Sequence, residues 1–152
     1  MNSFSEIFAE IKKHDSFYLS GHVNPDGDSK GSCECLKLAL ESLGSEVYTT
    51  CGFGGMGTEV QPTCTFTDKA KVQVDYTSVP IPPKPQVECT SDPKVDCFIQ
   101  LDVQPEYRLP KESLEVKKSA KVSICFDHHQ PEDANCTLAY VDSEAAACAL
   151  II

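Results

Sequence analysis

Short apolar runs, polar turns and stretches of helical periodicity follow one another along this chain, and their order predicts an α/β fold. Phe4, Ile7, Phe8 and Ile11 recur at helical spacing behind the Ser3/Glu6 capping box, so residues 4–13 are expected to form a short amphipathic helix. Phe17, Tyr18 and Leu19 mark a strand over 16–21. The polar turn after it leads into residues 29–43, where Leu36, Leu38, Leu40 and Leu43 make a broad apolar helix face closed by Gly44. Residues 46–51 read as a second strand. A weaker strand signal lies at 71–76, and prolines at 80, 82, 83, 85 and 93 predict an exposed, irregular connection near 78–94.

Alternation resumes at 95–102, a compact apolar strand that ends in Asp102. A loop and short helix are expected within 107–118, a strand at 121–126 that runs into Asp127, His128 and His129, and another strand at 137–141. Ser143 with Ala145, Ala146, Ala147, Leu150 and Ile151 then predicts the start of a helix. Strand, helix, strand in this order predicts a mainly parallel sheet flanked by helices.

Composition narrows the range of functions. The chain has 152 residues and a formal charge of −10, which excludes a broad basic surface tracking long nucleic acid. Its nine cysteines are odd in number, include no CxxC pair and sit partly inside apolar runs, as expected of reduced thiols in a core. No segment has the form of a signal peptide or a membrane span, so the cytoplasm and no membrane contact are expected. The Gly-rich segment 52–57 has neither GxGxxG nor GxxxxGK spacing, which removes the nucleotide fingerprints.

The candidate chemistry lies at strand ends. His22, Asp26 and Asp28 follow the first strand on a turn shaped by Pro25 and Gly27. Two carboxylates and an imidazole this close repel and desolvate one another unless a cation joins them. The alternative is a simple turn with Asp28 as N-cap of the next helix. Gly31 and Ser32 offer either anion-binding groups at the helix start or packing and capping positions. His14, beside Lys13 at a helix end, is read as solvated. Three apolar runs thus end in acid or histidine. If those strands are parallel, His22, Asp26, Asp28, Asp102, Asp127, His128 and His129 converge on one crevice. Oxygen and imidazole donors favour Mn²⁺ or Mg²⁺ over thiolate-held zinc.

The stretches SGHVNPDGDSKGS, LDVQPEYRL and FDHHQPEDANCTLAYVDSEAAACALI resemble the DHH phosphoesterase superfamily, most closely its nanoRNase and 3′-phosphoadenosine 5′-phosphate phosphatase branch. The resemblance implies that His22, Asp26 and Asp102 hold one manganese ion and that Asp28, Asp102 and His128 hold a second, with Asp102 bridging. It implies that His129 contacts the substrate phosphate, that Asp127 orients the histidines, and that water activated by two ions attacks phosphorus in line. The substrate class implied is a short oligonucleotide or a nucleotide 3′-phosphate. The family's fourth motif, an aspartate, and its C-terminal substrate-binding domain have no match within residues 1–152, and the Pro-rich stretch has no counterpart. The expectation is therefore a partial DHH-type catalytic domain with an under-coordinated second ion and a cleft open on one side, which a second copy or a partner would cover. Two other readings remain open, a manganese pyrophosphatase and a noncatalytic metal- or nucleotide-binding module.

Overall fold

The computed structural model describes residues 2–50 and 94–152, and the backbone of two strands at 62–65 and 73–76. Chain order is α1 (Phe4–Ile11), β1 (Ser16–Ser20), α2 (Gly27–Ser42), β2 (Glu46–Thr49), β3 (Pro62–Thr65), β4 (Gln73–Tyr76) and β5 (Cys97–Leu101), followed by a 3-10 turn (Glu106–Arg108). It continues with α3 (Lys111–Ser119), β6 (Val122–Asp127), β7 (Leu138–Val141) and a second 3-10 turn (Cys148–Leu150). The chain divides into two compact units, Met1–Gly52 with Thr90–Ile152, and Phe53–Cys89. In the smaller unit β3 and β4 pair antiparallel. The strand expected at 71–76 is β4; the Gly-rich segment and most of the Pro-rich stretch lie outside the described residues.

The larger unit is the expected α/β layer structure. Its sheet has the order β2-β1-β5-β6-β7, and every pairing is parallel. Parallel strands are covered on both faces and read as continuous apolar runs, which is how SFYLS and CFIQL read. Period-2 alternation sorts them between two cores. Phe17, Leu19, Cys97, Ile99 and Leu101 join Ile7, Ile11, Leu36 and Leu40 of α1 and α2 on one face, while Tyr18 and Phe98 join Val116 of α3 on the other.

The helix ends follow local chemistry. At α1 the Ser3 hydroxyl accepts the Glu6 N–H, and the Glu6 carboxylate accepts the Ser3 N–H at 2.7 Å. His14 is not solvated as expected: it is half-buried, with its ring 3.2 Å from Glu10, because the C-terminal turn of α1 folds it back along the helix. Helix α2 begins two residues earlier than its periodicity suggests. Asp26, not Asp28, is the N-cap, accepting the N–H groups of Asp28 and Ser29 at 3.0 Å each. Its far end closes at Gly44 (φ +88°), where the Ser45 N–H reaches Leu40 O and the Gly44 N–H reaches Glu41 O.

One expected element differs. Residues 143–152 do not start an α-helix but form a turn, then extended backbone at Ala147, then the single 3-10 turn Cys148–Leu150. The Asp28 carboxylate captures the N–H groups of Cys148 and Ala149 at 2.7 and 3.0 Å, which fixes the start of helical geometry late, at residue 148.

Candidate metal centre

In a parallel sheet, the place where successive connections leave in opposite directions opens a crevice beyond the strand carboxyl ends. Here β1 is followed in space by β2 on one side and β5 on the other, so the crevice opens beyond β1 and β5. His22 and Asp26 leave β1 into it, and Asp102 follows β5. The Val23 N–H donates to Arg108 O at 2.8 Å and ties the two loops together. Strand β6, next to β5, delivers Asp127, His128 and His129 to the same edge.

Asp102 sits at the centre. It is 1% exposed, its backbone is left-handed (φ +62°), and its N–H donates to Phe126 O at 3.0 Å. Aspartate tolerates this conformation better than most residues, and a single left-handed residue redirects the side chain from the strand line into the crevice. Its Oδ2 lies 3.8 Å from His22 Nε2, and its Oδ1 lies 3.4 Å from His128 Nε2 and 3.7 Å from His129 Nδ1. Oδ1 is buried without a hydrogen-bond partner. Among the described residues, ligand atoms of His22, Asp26 and Asp102 form one tight group and those of Asp102, Asp127, His128 and His129 another, each within 4.8 Å, and Asp102 belongs to both.

Asp28 comes in from α2, with Oδ2 3.4 Å from His128 Nε2. His128 Nδ1 lies 3.2 Å from Ala145 O. A carbonyl only accepts, so Nδ1 carries the proton and the bare Nε2 lone pair faces the carboxylates of Asp28 and Asp102. Such a meeting of acceptors requires a cation or a further proton between them. Ligand atoms about 2.1–2.2 Å from a shared ion, and about 90–110° apart as seen from it, lie about 3.0–3.6 Å from one another, a range that includes both 3.4 Å separations. The orphaned Asp102 oxygen and the donor set both fit a divalent ion. Among the described residues no thiol joins either group, and burial pushes Cys97 and Cys148 up to about 12 and raises Cys125 as well.

The electrostatics follow from burial and crowding. Burial pushes Asp102 up to about 6, and the nearby charges of Asp28 and Asp26 push in the same direction. Burial, then the Arg108 charge, lower His22, a shift toward the neutral form that ligates. The Ser29 N–H holds Asp26 below the ordinary carboxylate range. Burial opposes the charged form of His129, but the hydrogen bond and charge of Asp127 outweigh it and raise the group. Asp127 itself is 1% exposed. Its Oδ1 accepts the N–H groups of His128 and His129 at 2.7 and 3.1 Å and faces His129 Nδ1 at 2.7 Å. All seven side chains singled out in the sequence are thus gathered at one edge of one sheet. Of the two helix-start residues, Ser32 is buried, with its hydroxyl 3.4 Å from Asp28 Oδ1, and a Cβ at Gly31 would meet nothing within 4 Å, so close packing does not account for that glycine.

Sequence reasoning passed over three residues that support this edge. Gln100, Gln104 and Lys117 are buried polar side chains bonded to one another's segments beneath the Asp127 loop. A glutamine inside the apolar run CFIQL was the available signal, since a polar side chain on a strand buried along its whole length must find partners.

A parallel sheet with a carboxylate and imidazole cation pocket at its switch point defines an α/β metal-site domain. The chain belongs to the DHH family: residues 16–152 match its N-terminal domain. Its fold is similar to that of an exopolyphosphatase-related protein from Bacteroides fragilis, with 19% sequence identity and a TM-score of 0.61 over 95% of this chain. The chain covers 39% of that protein's length. No curated protein sequence matches it. Among the described residues, no helix is long and apolar enough to cross a membrane.

Proposed function

We propose that this chain supplies the metal-binding part of a phosphoesterase that hydrolyses short oligonucleotides or nucleotide 3′-phosphates, as in the nanoRNase and 3′-phosphoadenosine 5′-phosphate phosphatase branch of the family. The observation that carries the reading is Asp102, a buried carboxylate with one unpartnered oxygen, shared between two clusters of ligand atoms. His22, Asp26 and Asp102 would hold one ion, and Asp28, Asp102 and His128 the other, Mn²⁺ or Mg²⁺. Two such ions, when bound, acidify water and neutralise charge on phosphate oxygens.

The remaining roles belong to the chain's own groups. Asp127 uses Oδ1 to fix both histidine N–H groups and the His129 ring. His129 is half-exposed, and Asp127 raises its pKa and so favours the protonated ring, which would suit a phosphate oxygen. The Ala145 carbonyl sets the His128 tautomer. No protein nucleophile is required.

The test is hydrolysis of a dinucleotide, a nucleoside 3′,5′-bisphosphate and pyrophosphate with Mn²⁺, by this chain and by a form extended at its carboxyl end. Mn²⁺-dependent release of mononucleotide or phosphate from the first two, lost in Asp102→Ala, is expected. Pyrophosphate as the sole substrate would move the assignment to the pyrophosphatases. Calorimetry with Mn²⁺ addresses the noncatalytic module: two tightly bound ions per chain count against it, and one weak ion without turnover in either form replaces the hydrolase reading.

A further inference from the structure

We infer that Gln104 is a positioning residue for the metal centre, holding Asp127 so that the His128–His129 pair keeps one orientation. Gln104 is 1% exposed and uses its whole amide. Its Oε1 accepts the Glu132 N–H at 2.7 Å. That donor is a backbone amide, so the oxygen must face it, and the orientation of the side-chain amide is settled by chemistry. The Nε2 group then faces two acceptors, Asp127 Oδ2 at 3.0 Å and Gln130 O at 3.1 Å.

The two oxygens of Asp127 have separate tasks. Oδ1 serves the histidines; Oδ2 is held by Gln104. A carboxylate fixed at one oxygen cannot rotate about its χ2 axis without breaking that bond, so Gln104 sets the plane in which Oδ1 meets His129 Nδ1. It also binds the segment after the histidines at residues 130 and 132, so the His128–His129 pair is held between Asp127 on one side and that segment on the other.

Gln104 is itself braced. Gln100 Nε2 donates to Val103 O at 2.9 Å and to Gln104 O at 2.7 Å, which fixes the backbone that carries Gln104. Gln100 Oε1 accepts from Lys117 Nζ at 3.0 Å, and the buried ammonium also donates to Ala134 O at 3.1 Å and pairs with Glu106 at 2.9 Å. Every donor of Lys117 therefore has an acceptor, and the brace runs unbroken from α3 through β5 to the Asp127 loop. Asp102 lies two residues before Gln104 on the same braced turn, so one scaffold aligns the bridging carboxylate and the histidine loop.

The part of this inference that concerns cation affinity rests on the proposed function; the part that concerns His129 does not. Variants Gln104→Leu and the isosteric Gln104→Glu remove the amide donor to Asp127; Glu, ionised at the alkaline pH of the ring measurement, sets a second carboxylate against Asp127 while it keeps the acceptor for Glu132. Ser16→Ala is the control, because it deletes a part-buried side-chain bond of similar length, Asp96 N–H to Ser16 Oγ at 3.0 Å, at the opposite end of the sheet. Ring ¹⁵N shifts of His129 in the metal-free full chain, read through its carbon-bound protons at alkaline pH, should report an Nδ1–H tautomer in the native protein and in Ser16→Ala. Both Gln104 variants should lose that single tautomer. Mn²⁺ affinity by calorimetry should fall about 10- to 100-fold in them and stay within about twofold in the control. Should Gln104→Leu fail to fold, Gln104→Glu alone decides. A His129 tautomer unchanged in either folded variant overturns the inference. A native chain that binds no Mn²⁺ sinks the proposed function instead, and leaves the ring spectra to judge Gln104.

Discussion

Replacing Asp102 by Asn should make the metal-free protein more stable while removing its response to metal. The carboxyl stands at about 6 in the fold against an ordinary value of 3.8, so folding disfavours the charged form once the pH exceeds the unfolded value. A displacement of about two units corresponds to about 3 kcal/mol at most, and screening through the open His129 side reduces this to about 1–2 kcal/mol. Asn keeps the shape, tolerates the left-handed backbone and brings a donor to the lone pair of His128, so the gain should not be offset by strain. For a chain of this size, about 2–4 °C per kcal/mol gives a rise in Tm of about 2–8 °C in EDTA near pH 7.5. The gain should shrink through the window between the two pKa values and vanish below about pH 4, where the native carboxyl is protonated in both states. Saturating Mn²⁺ should reverse the order, since binding at about 100 times Kd adds about 2.7 kcal/mol to the native protein and nothing to the variant. The measurement is a thermal melt of both proteins across pH, with EDTA and with Mn²⁺. An Asn variant no more stable than the native chain in EDTA at neutral pH, or equally stabilised by Mn²⁺, would refute the argument.

Other outcomes follow from the same geometry. Asp28→Asn removes a negative charge beside Asp102 and should lower the Asp102 pKa, read by ¹³C carboxyl titration; an unchanged midpoint would mean that burial alone sets it. Asp28→Ala frees the N–H groups of Cys148 and Ala149 from charge-assisted bonds, so hydrogen exchange at those two amides should speed up at least about 10-fold while the centre of β5 stays protected. Gly44→Ala forces a Cβ into left-handed backbone at the end of α2 and should cost about 1 kcal/mol, a fall in Tm of about 2–4 °C; no fall would mean the cap had rearranged.

The local signals in the sequence carried most of the fold. Strand runs such as CFIQL and the capping box at Ser3 are short-range statements, and the parallel order follows once strand and helix alternate. Convergence of His22, Asp102 and His128 was legible for the same reason, since parallel strands bring their carboxyl ends together wherever their residues lie in the chain. What was hidden depends on contacts between distant segments. Asp28 looked like an N-cap or a ligand, yet it also grips backbone amides 120 and 121 residues away, and that grip undid the helix expected from the alanines at 145–147. Gln104 reads as an ordinary loop residue until Glu132 and Asp127 are placed on either side of it. The cap of α2 was misplaced by two residues because Asp26 and Asp28 are chemically equivalent candidates, and only backbone direction decides between them.

The left-handed turn at Asp102 also limits how the centre can be re-engineered. A chemist who wished to tune it toward a softer ion would first think of cysteine at the shared position, or of glutamate for longer reach. Both would inherit a backbone that penalises ordinary L side chains by about 1–2 kcal/mol, before any coordination chemistry began. Aspartate is thus favoured twice, once by the donor set a divalent ion would need and once by the peptide geometry. Redesign of the donor must begin with the turn that carries it.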